Sequence, residues 1–171
     1  MMRNCILYAM VLVANMMAAM AAHASERFEN SYIAFYLADG WTCKREGTEF
    51  VCSPPGGGPK PAIIIMTAKF AGPDDSLSKY VGHINSMTKR PGVSITQAPK
   101  QRKIQNSVWV DATLLNSEIP NYYTRYMATI KGDIAILYTF AVHKSKYDQF
   151  IESSELAVNN LEVKNVSAPK K

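Results

Sequence analysis

The sequence predicts an α+β domain with a mostly antiparallel sheet and two amphipathic helices. Segments rich in β-branched and aromatic residues are separated by short turns, and two segments, 76–89 and 145–160, have helical periodicity instead. Three strand patterns, 107–116, 122–131 and 134–142, follow one another directly. Strands joined by short turns pair antiparallel, so the order strand, hairpin, strand, helix, three strands, helix predicts an α+β sandwich.

The first 24 residues have the pattern of a secretory signal peptide. Arg3 precedes an uncharged apolar run, and Ala22-His23-Ala24 forms a small-residue cleavage site. We expect cleavage after Ala24, which gives a periplasmic or secreted protein that is not an integral membrane protein. The alternative is that the apolar run is kept as a single membrane anchor, because its length approaches that of a spanning helix.

One domain is expected over residues 25–165, with a polar tail over 166–171. Its first strand is predicted over Tyr32–Leu37, a segment rich in aromatic residues that ends at the turn dipeptide Asp39-Gly40.

A disulfide between Cys43 and Cys52 is predicted next, because an exported chain matures where disulfides persist. A two-residue turn at Gly47-Thr48 would pair these cysteines across a hairpin, in a non-hydrogen-bonded position where the Cα atoms lie closest. Metal binding is disfavoured, because His83 and His143 are isolated in the sequence and zinc sites need four ligands. A redox pair would have the Cys-x-x-Cys spacing, which these cysteines lack.

The middle of the chain alternates loop, strand and helix signals. Residues 53–61, SPPGGGPKP, predict a surface loop, and Ala62–Phe70 predicts a buried strand. Asp75 can cap a helix over about 76–89, which ends at Arg90-Pro91-Gly92.

The last third of the chain predicts the three successive strands and a closing helix. Lys131-Gly132-Asp133 supplies a tight turn between the last two strands. Ser145 with Asp148 resembles a capping box, and the helix that it opens is expected to end near Asn160.

Two patches resemble the PsbP-like superfamily, which includes the oxygen-evolving-complex protein PsbP and exported bacterial relatives of the LpqN and DcrB kinds. The first is the pattern F-x-L-x-x-G-W over residues 35–41. The second is KGDIAILYTFAV, residues 131–142, followed by Lys146-Tyr147 and a helix that ends near Leu161-Glu162-Val163. The resemblance implies an α-β-α sandwich that serves as an accessory or binding subunit with no chemistry or cofactor of its own.

Few residues suggest catalysis. His143 with Asp148, or His83 with Ser86, could form an acid–base pair, although neither belongs to a recognisable catalytic motif. Asp111 lies between Val110 and Ala112 in a strand pattern, and we expect it to point outward from a half-exposed strand.

A basic segment is the main candidate binding surface. The stretch from residue 89 to residue 103 contains no acidic residue, and its Pro and Gly residues predict a long connection. Its cations could attract a protein partner of the cell envelope, an anionic lipid or a phosphate-bearing ligand. The alternative is a solvated loop, and nucleic acid is a poor partner for an exported protein. The cations are Lys89, Arg90, Lys100, Arg102 and Lys103.

Tyrosines near the start of the second of the three strands form another candidate. Strand alternation places Tyr122 and Tyr126 on one face, and Tyr123 and Arg125 on the other. One of these faces is expected to belong to the core, so at most half of the group can contact a partner.

Together these features predict an exported accessory or binding protein of the cell envelope without catalytic activity, a subunit or partner of a larger assembly. The alternative is a small-ligand or anion-binding module that uses the sheet near Trp109 and Tyr126. A third hypothesis is an uncharacterised hydrolase.

Overall fold

The computed structural model describes residues 25–56 and 59–167, and the predicted signal peptide lies outside them. The described residues form an α+β structure whose elements are β1 (Glu26–Glu29), β2 (Ile33–Leu37), β3 (Thr42–Glu46), β4 (Glu49–Ser53), β5 (Ala62–Phe70), α1 (Leu77–Met87), β6 (Ser94–Ile104), β7 (Ser107–Leu115), β8 (Tyr122–Lys131), β9 (Ile134–His143), a 3₁₀ turn (Lys144–Lys146), α2 (Tyr147–Asn159) and β10 (Glu162–Val163). None of the helices in these residues is long and apolar enough to cross a membrane.

A seven-stranded antiparallel sheet organises the molecule, in the order β3-β4-β5-β9-β8-β7-β6. A smaller sheet, β1-β2-β10, brings together segments that are far apart in sequence, since Glu162 lies opposite Ala34. The predicted α+β class with mostly antiparallel strands is confirmed.

The stapled hairpin is confirmed in register. Cys43 lies opposite Cys52 and Glu46 opposite Glu49, and the two cysteines form a disulfide with their Cα atoms 4.0 Å apart. Gly47 has φ 62°, as a type II′ turn requires at its first central position.

The two helices cover opposite faces of the large sheet. On α1, Ile84 and Met87 pack against the face of β7 that carries Val110, Ala112 and Leu114. Helix α2 packs on the other face, where a larger core also takes in the smaller sheet. Alternate residues of a strand point to opposite faces, so each strand contributes to both layers and the result is an α-β-α sandwich.

The caps of both helices differ from the predicted ones. Ser76, not Asp75, caps α1, because its hydroxyl accepts the backbone N–H of Lys79. Asp75 instead accepts hydrogen bonds from the backbone of Gly72 and from the side chain of Lys69. Ser145 does not open α2, because a 3₁₀ turn comes first.

Strand β6 corrects the expectation of a long connection between residues 89 and 103. The chain there forms an 11-residue strand at the edge of the sheet, with register shifts between Ile95 and Gln97 and between Gln97 and Lys100. An edge strand tolerates Pro99 because one of its sides needs no ladder bonds, and exposed lysines discourage pairing with another chain. The Pro and Lys content therefore marked an edge strand.

Candidate functional site

The structure divides the predicted basic segment. Arg102 reaches the α2 face and joins an ion-pair cluster that also contains Arg125. Lys100 and Lys103 are exposed along the edge strand β6, whereas Lys89 and Arg90 lie beyond its other end, after α1. Ser94 and Lys103 are separated by roughly 30 Å in an extended strand, so these cations do not form one compact patch.

The ion-pair cluster consists of Asp111, Arg125, Glu155 and Arg102. The Nε and Nη2 atoms of Arg125 donate to the two carboxylate oxygens of Asp111 at 2.9 and 2.6 Å, and its Nη1 donates to Glu155. Both Nη atoms of Arg102 donate to Glu155, at 3.1 and 2.9 Å. Glu155 is on α2 and the others are on the sheet, so the cluster ties α2 to three strands.

Burial makes this cluster costly to break. Asp111 is 1% exposed and Arg125 is 7% exposed, and buried charges must be paired. Burial alone would raise the pKa of Glu155, but hydrogen bonds and charges from Arg102 and Arg125 outweigh burial and lower the pKa to about 2. Burial would lower the pKa of Arg125, and its bonds to Asp111 and Glu155 raise the pKa instead. Glu155 and the two arginines therefore stay ionised at neutral pH.

The position of Asp111 corrects a prediction. We expected Asp111 to point outward, but it faces α2 together with Trp109 and Thr113, and α2 covers that face. Trp109 and Tyr126 were expected to line one ligand site. They lie on opposite faces of the sheet, because Tyr126 is opposite Ala112 and faces α1. No single site can contain both side chains.

A pocket of about 300 Å³ lies beside the cluster on the α2 face, and we call it the tyrosine pocket. Gln97 lies opposite Thr113, and Thr113 opposite Arg125, so three neighbouring strands form its floor. The rings of Tyr123 and Tyr147 pack edge to face with their centroids 5.3 Å apart. The pocket is lined by Thr96, Gln97, Thr113, Tyr123 and Tyr147.

Gln97 stands out among the residues that line the tyrosine pocket. The two register shifts of β6 flank this residue, and bulges of this kind re-aim side chains. Its amide Nε2 is buried and has no hydrogen-bond partner within the described part of the chain. Burial also raises the pKa of Tyr147 at the pocket wall, so that phenol stays protonated and can donate.

A second cavity, of about 410 Å³, lies between α1 and strands β8 and β9, and we call it the α1 groove. Its walls are mostly apolar, with Ile84 on the helix and Ala128 and Leu137 on the sheet. At its rim, Tyr80 donates a 2.7 Å hydrogen bond to Asp75. Hydrogen bonds from Lys69, the Gly72 backbone and Tyr80 lower the pKa of Asp75 to about 2.

The candidate acid–base pairs do not assemble in the described residues. Ser86 donates its hydroxyl to the backbone oxygen of His83 and not to the imidazole. His143 Nδ1 lies 2.8 Å from the Ser145 hydroxyl, a local contact, and no hydrogen bond joins His143 to Asp148 among residues 25–56 and 59–167. The same ranges contain no group of three or more His, Cys, Asp or Glu side chains placed to hold a metal ion.

Comparison with solved structures identifies the architecture. The chain is similar to the cyanobacterial PsbP, CyanoP, of Synechocystis, with a TM-score of 0.57 and 10% identity over 85% of this chain and 96% of that one. It is also similar to LpqN of Mycobacterium tuberculosis, described as involved in cell envelope biogenesis, with a TM-score of 0.58 and 8% identity over 82% and 90% of the two chains. The chain has a PsbP-like fold.

The chain is also similar to a structure from Bacteroides thetaiotaomicron, with a TM-score of 0.61 and 15% identity. That match covers 82% of this chain and 48% of the other, so this chain spans about half of that protein. No protein-family model and no curated protein matches the sequence. Identities of this size establish the fold alone.

Three residues of these sites were not predicted from the sequence as functional. Gln97 lay in a segment interpreted as a loop, and Glu155 approaches the sheet from a helix 30 residues beyond Arg125. No functional role was predicted for Tyr147, the first residue of the closing helix. The alternation of β7 was a usable signal for Asp111, because it puts this carboxylate on the face of Trp109.

Proposed function

We propose that this chain is an exported, non-catalytic accessory protein of the cell envelope that acts by binding. The observation that carries the proposal is the PsbP-like α-β-α fold together with the Cys43–Cys52 disulfide in its β3–β4 hairpin. A disulfide persists in an oxidising compartment outside the cytoplasm. The neighbour LpqN is described as involved in cell envelope biogenesis, which supports the same compartment for a protein of this fold.

The carboxylates with shifted pKa values are already bound by neighbouring side chains, which supports a binding function over a catalytic one. Catalytic groups with shifted pKa values usually face a cavity where substrate can reach them. Here Glu155 is held by two arginines, and Asp75 by Lys69, Tyr80 and a backbone N–H. These carboxylates act as structural anchors of α2 and α1.

The partner surface in this proposal is the edge strand β6, where Lys100 and Lys103 are exposed. Arg102 is excluded from that surface because it is paired with Glu155 and Asp111. The two lysines can attract an acidic surface of a larger envelope assembly.

The test is cross-linking of the tagged chain in its native envelope, followed by mass spectrometry of what is captured. We expect one protein at near-equal amount, which is lost in the variant Lys100→Glu/Lys103→Glu. The matched control, Lys44→Glu/Arg45→Glu, reverses two exposed cations on the opposite edge strand β3 and should keep the partner. Capture of no stoichiometric partner overturns the accessory role.

A second candidate function, a small-ligand binding module, is favoured by the unpaired amide of Gln97 in the tyrosine pocket. The pocket combines two aromatic rings with an amide and hydroxyl groups, which suits a small neutral ligand with hydrogen-bonding groups. We expect such a compound to raise the melting temperature of the protein in a thermal-shift screen, and Gln97→Leu to remove the increase. A ligand that stabilises both proteins equally does not bind in this pocket.

A further inference from the structure

One end of the large sheet gathers cations that are distant in sequence. The start of β5, the end of β9, the start of β8 and the turn after α1 all lie there. Five basic side chains are exposed at this end, and four of them are lysines. We call them the basic end: Lys60, Lys89, Arg90, Lys144 and Lys146.

Hydrogen bonds join the loops of the basic end into one surface. The side-chain amide of Asn116 donates to the Gly92 oxygen at 3.1 Å, which ties the 116–121 loop to the turn that carries Lys89 and Arg90. The Tyr122 hydroxyl donates to the backbone oxygen of Lys60 at 3.2 Å. The Lys144 N–H donates to the Asn121 oxygen at 2.9 Å. Because these bonds use backbone atoms of the lysines, the charged side chains remain available.

The 116–121 loop at the centre of the basic end is braced by a side-chain hydrogen bond and has an exposed apolar residue at its tip. Asn116 and Asn121 adopt left-handed backbone conformations, φ 62° and 66°, and the side chain of Asn116 accepts the N–H of Asn121 at 2.7 Å. Between them, Ile119 is 45% exposed and precedes Pro120. An exposed isoleucine is thus surrounded by loops that carry positive charge.

The positive charge of this end is not cancelled locally. Within residues 25–56 and 59–167, none of the five cations of the basic end forms an ion pair within 4.0 Å. Two acidic residues are nearby. Glu118 accepts a 2.7 Å hydrogen bond from the Tyr126 hydroxyl, and Asp148 lies in the first turn of α2. The net charge of the surface remains positive.

We propose that the basic end docks on an anionic membrane surface, with its cations among the lipid phosphates and Ile119 inserted below them. The inference deepens the proposed function, since it rests on the protein being exported to the envelope. Protein interfaces have an apolar core, whereas this surface offers one exposed apolar side chain, Ile119, among five cations. Clustered lysines are what an anionic lipid surface attracts.

The test is co-flotation of the exported chain, as recovered from its host, with vesicles of phosphatidylglycerol and with vesicles of phosphatidylcholine. We expect binding to the anionic vesicles alone. The variant Lys60→Gln/Lys89→Gln/Lys144→Gln should bind roughly a hundredfold more weakly, because each lysine near an anionic surface contributes about fivefold in affinity. Binding should also weaken as salt rises from low to moderate concentration.

The matched control is Lys44→Gln/Arg45→Gln/Lys131→Gln, which removes the same charge from β3 and from the end of β8 that lies opposite the basic end. Equal loss in both triple variants would show attraction by net charge alone and overturn the site. Ile119→Ser should weaken binding without changing its salt dependence, and an unchanged affinity would overturn insertion.

Flotation and cross-linking together distinguish failure of the membrane proposal from failure of the proposed accessory function. If no variant binds phosphatidylglycerol while a protein partner is still captured by cross-linking, the membrane proposal fails and the accessory role stands. If that captured partner is lost in the basic-end variant, this surface contacts a protein instead of lipid.

Discussion

At the scale of residues, Arg125 is the centre of the molecule's buried electrostatics. It is held by Asp111 on the neighbouring strand and by Glu155 from α2, in a site with little water. Arg102 adds a bidentate pair with Glu155, which fixes direction as well as distance between β6 and α2. The contact therefore sets where α2 lies along the sheet.

Arg125→Ala should lower the free energy of unfolding by roughly 3–5 kcal/mol, because it leaves the buried carboxylate of Asp111 without its bidentate partner. Chemical unfolding followed by circular dichroism measures the change. The control is Arg125→Met/Asp111→Leu, which removes both charges and should recover most of the stability. A single variant as stable as the parent would contradict the structural role of the cluster.

Acid should weaken the fold through Asp75 and Glu155, whose pKa values are both lowered to about 2. A carboxyl group with a lowered pKa stabilises the folded state when the pH is above its ordinary pKa, 3.8 for Asp and 4.5 for Glu. That stabilisation is lost as the pH falls toward 2. For the parent, we expect the urea concentration at the midpoint of unfolding to decrease as the pH is lowered from 5 to about 2.

Asp75→Asn isolates one part of this acid sensitivity. The variant should be less stable than the parent at neutral pH and should lose less stability than the parent on acidification. Asp148→Asn, an exposed residue at the start of α2, is the matched control and should follow the parent. Identical pH profiles for all three proteins would show that Asp75 does not contribute.

Gln97→Leu should raise the free energy of unfolding by about 1 kcal/mol, because it removes a buried amide nitrogen that has no partner. Thermal and chemical unfolding measure this change. An amide kept at a cost in stability is typical of a binding site. A clear loss of stability would mean instead that the Gln97 amide is satisfied and has a structural role.

At the scale of elements, the β3–β4 hairpin is a local unit held by its turn and its disulfide. Its register follows from Gly47-Thr48, so the sequence was sufficient to predict that Cys43 lies opposite Cys52. The turn at Gly132-Asp133 between β8 and β9 is equally local, and it too was predicted. Turn residues fix the pairing of the strands directly beside them, so these two strand pairings could be predicted from the sequence.

Cys43→Ala/Cys52→Ala should lower the free energy of unfolding by about 2–3 kcal/mol, since the bridge closes a short loop. Differential scanning calorimetry measures the effect. Adding reductant should destabilise the parent and leave the variant unchanged, which separates loss of the bridge from loss of packing. Two free thiols, counted in the denatured parent before reductant is added, would contradict the staple.

Elements built from distant segments were not predictable in the same way. Strand β1 and strand β10 exist because β2 lies between them, and their own sequences carry little strand signal. Strand β6 contains Pro99 and three cations, which read as a loop because an edge strand is paired on one side only. The cap of α1 was displaced by one residue, since Asp75 had better partners in Lys69 and Gly72.

At the scale of the whole molecule, the alternation of β8 predicted that Tyr123 and Arg125 share a face, and the structure shows what covers it. Tyr123 borders the tyrosine pocket and Arg125 meets Glu155 of α2. The sequence did not reveal that Lys89 and Lys144 share an end of the sheet, because the hydrogen bonds that connect them run through the distant 116–121 loop and leave no local pattern. Sites assembled by topology need the fold first.

The ion-pair cluster also limits which substitutions this sequence can accept during evolution. Four charged residues on β6, β7, β8 and α2 are paired with one another. A substitution at one of them therefore leaves a charge of the cluster without its partner. Neutral change there requires paired substitutions, an acid and a base exchanged together for apolar residues. Homologues should therefore keep all of Arg102, Asp111, Arg125 and Glu155 or lose them in acid–base pairs, a pattern of coordinated change at these four positions.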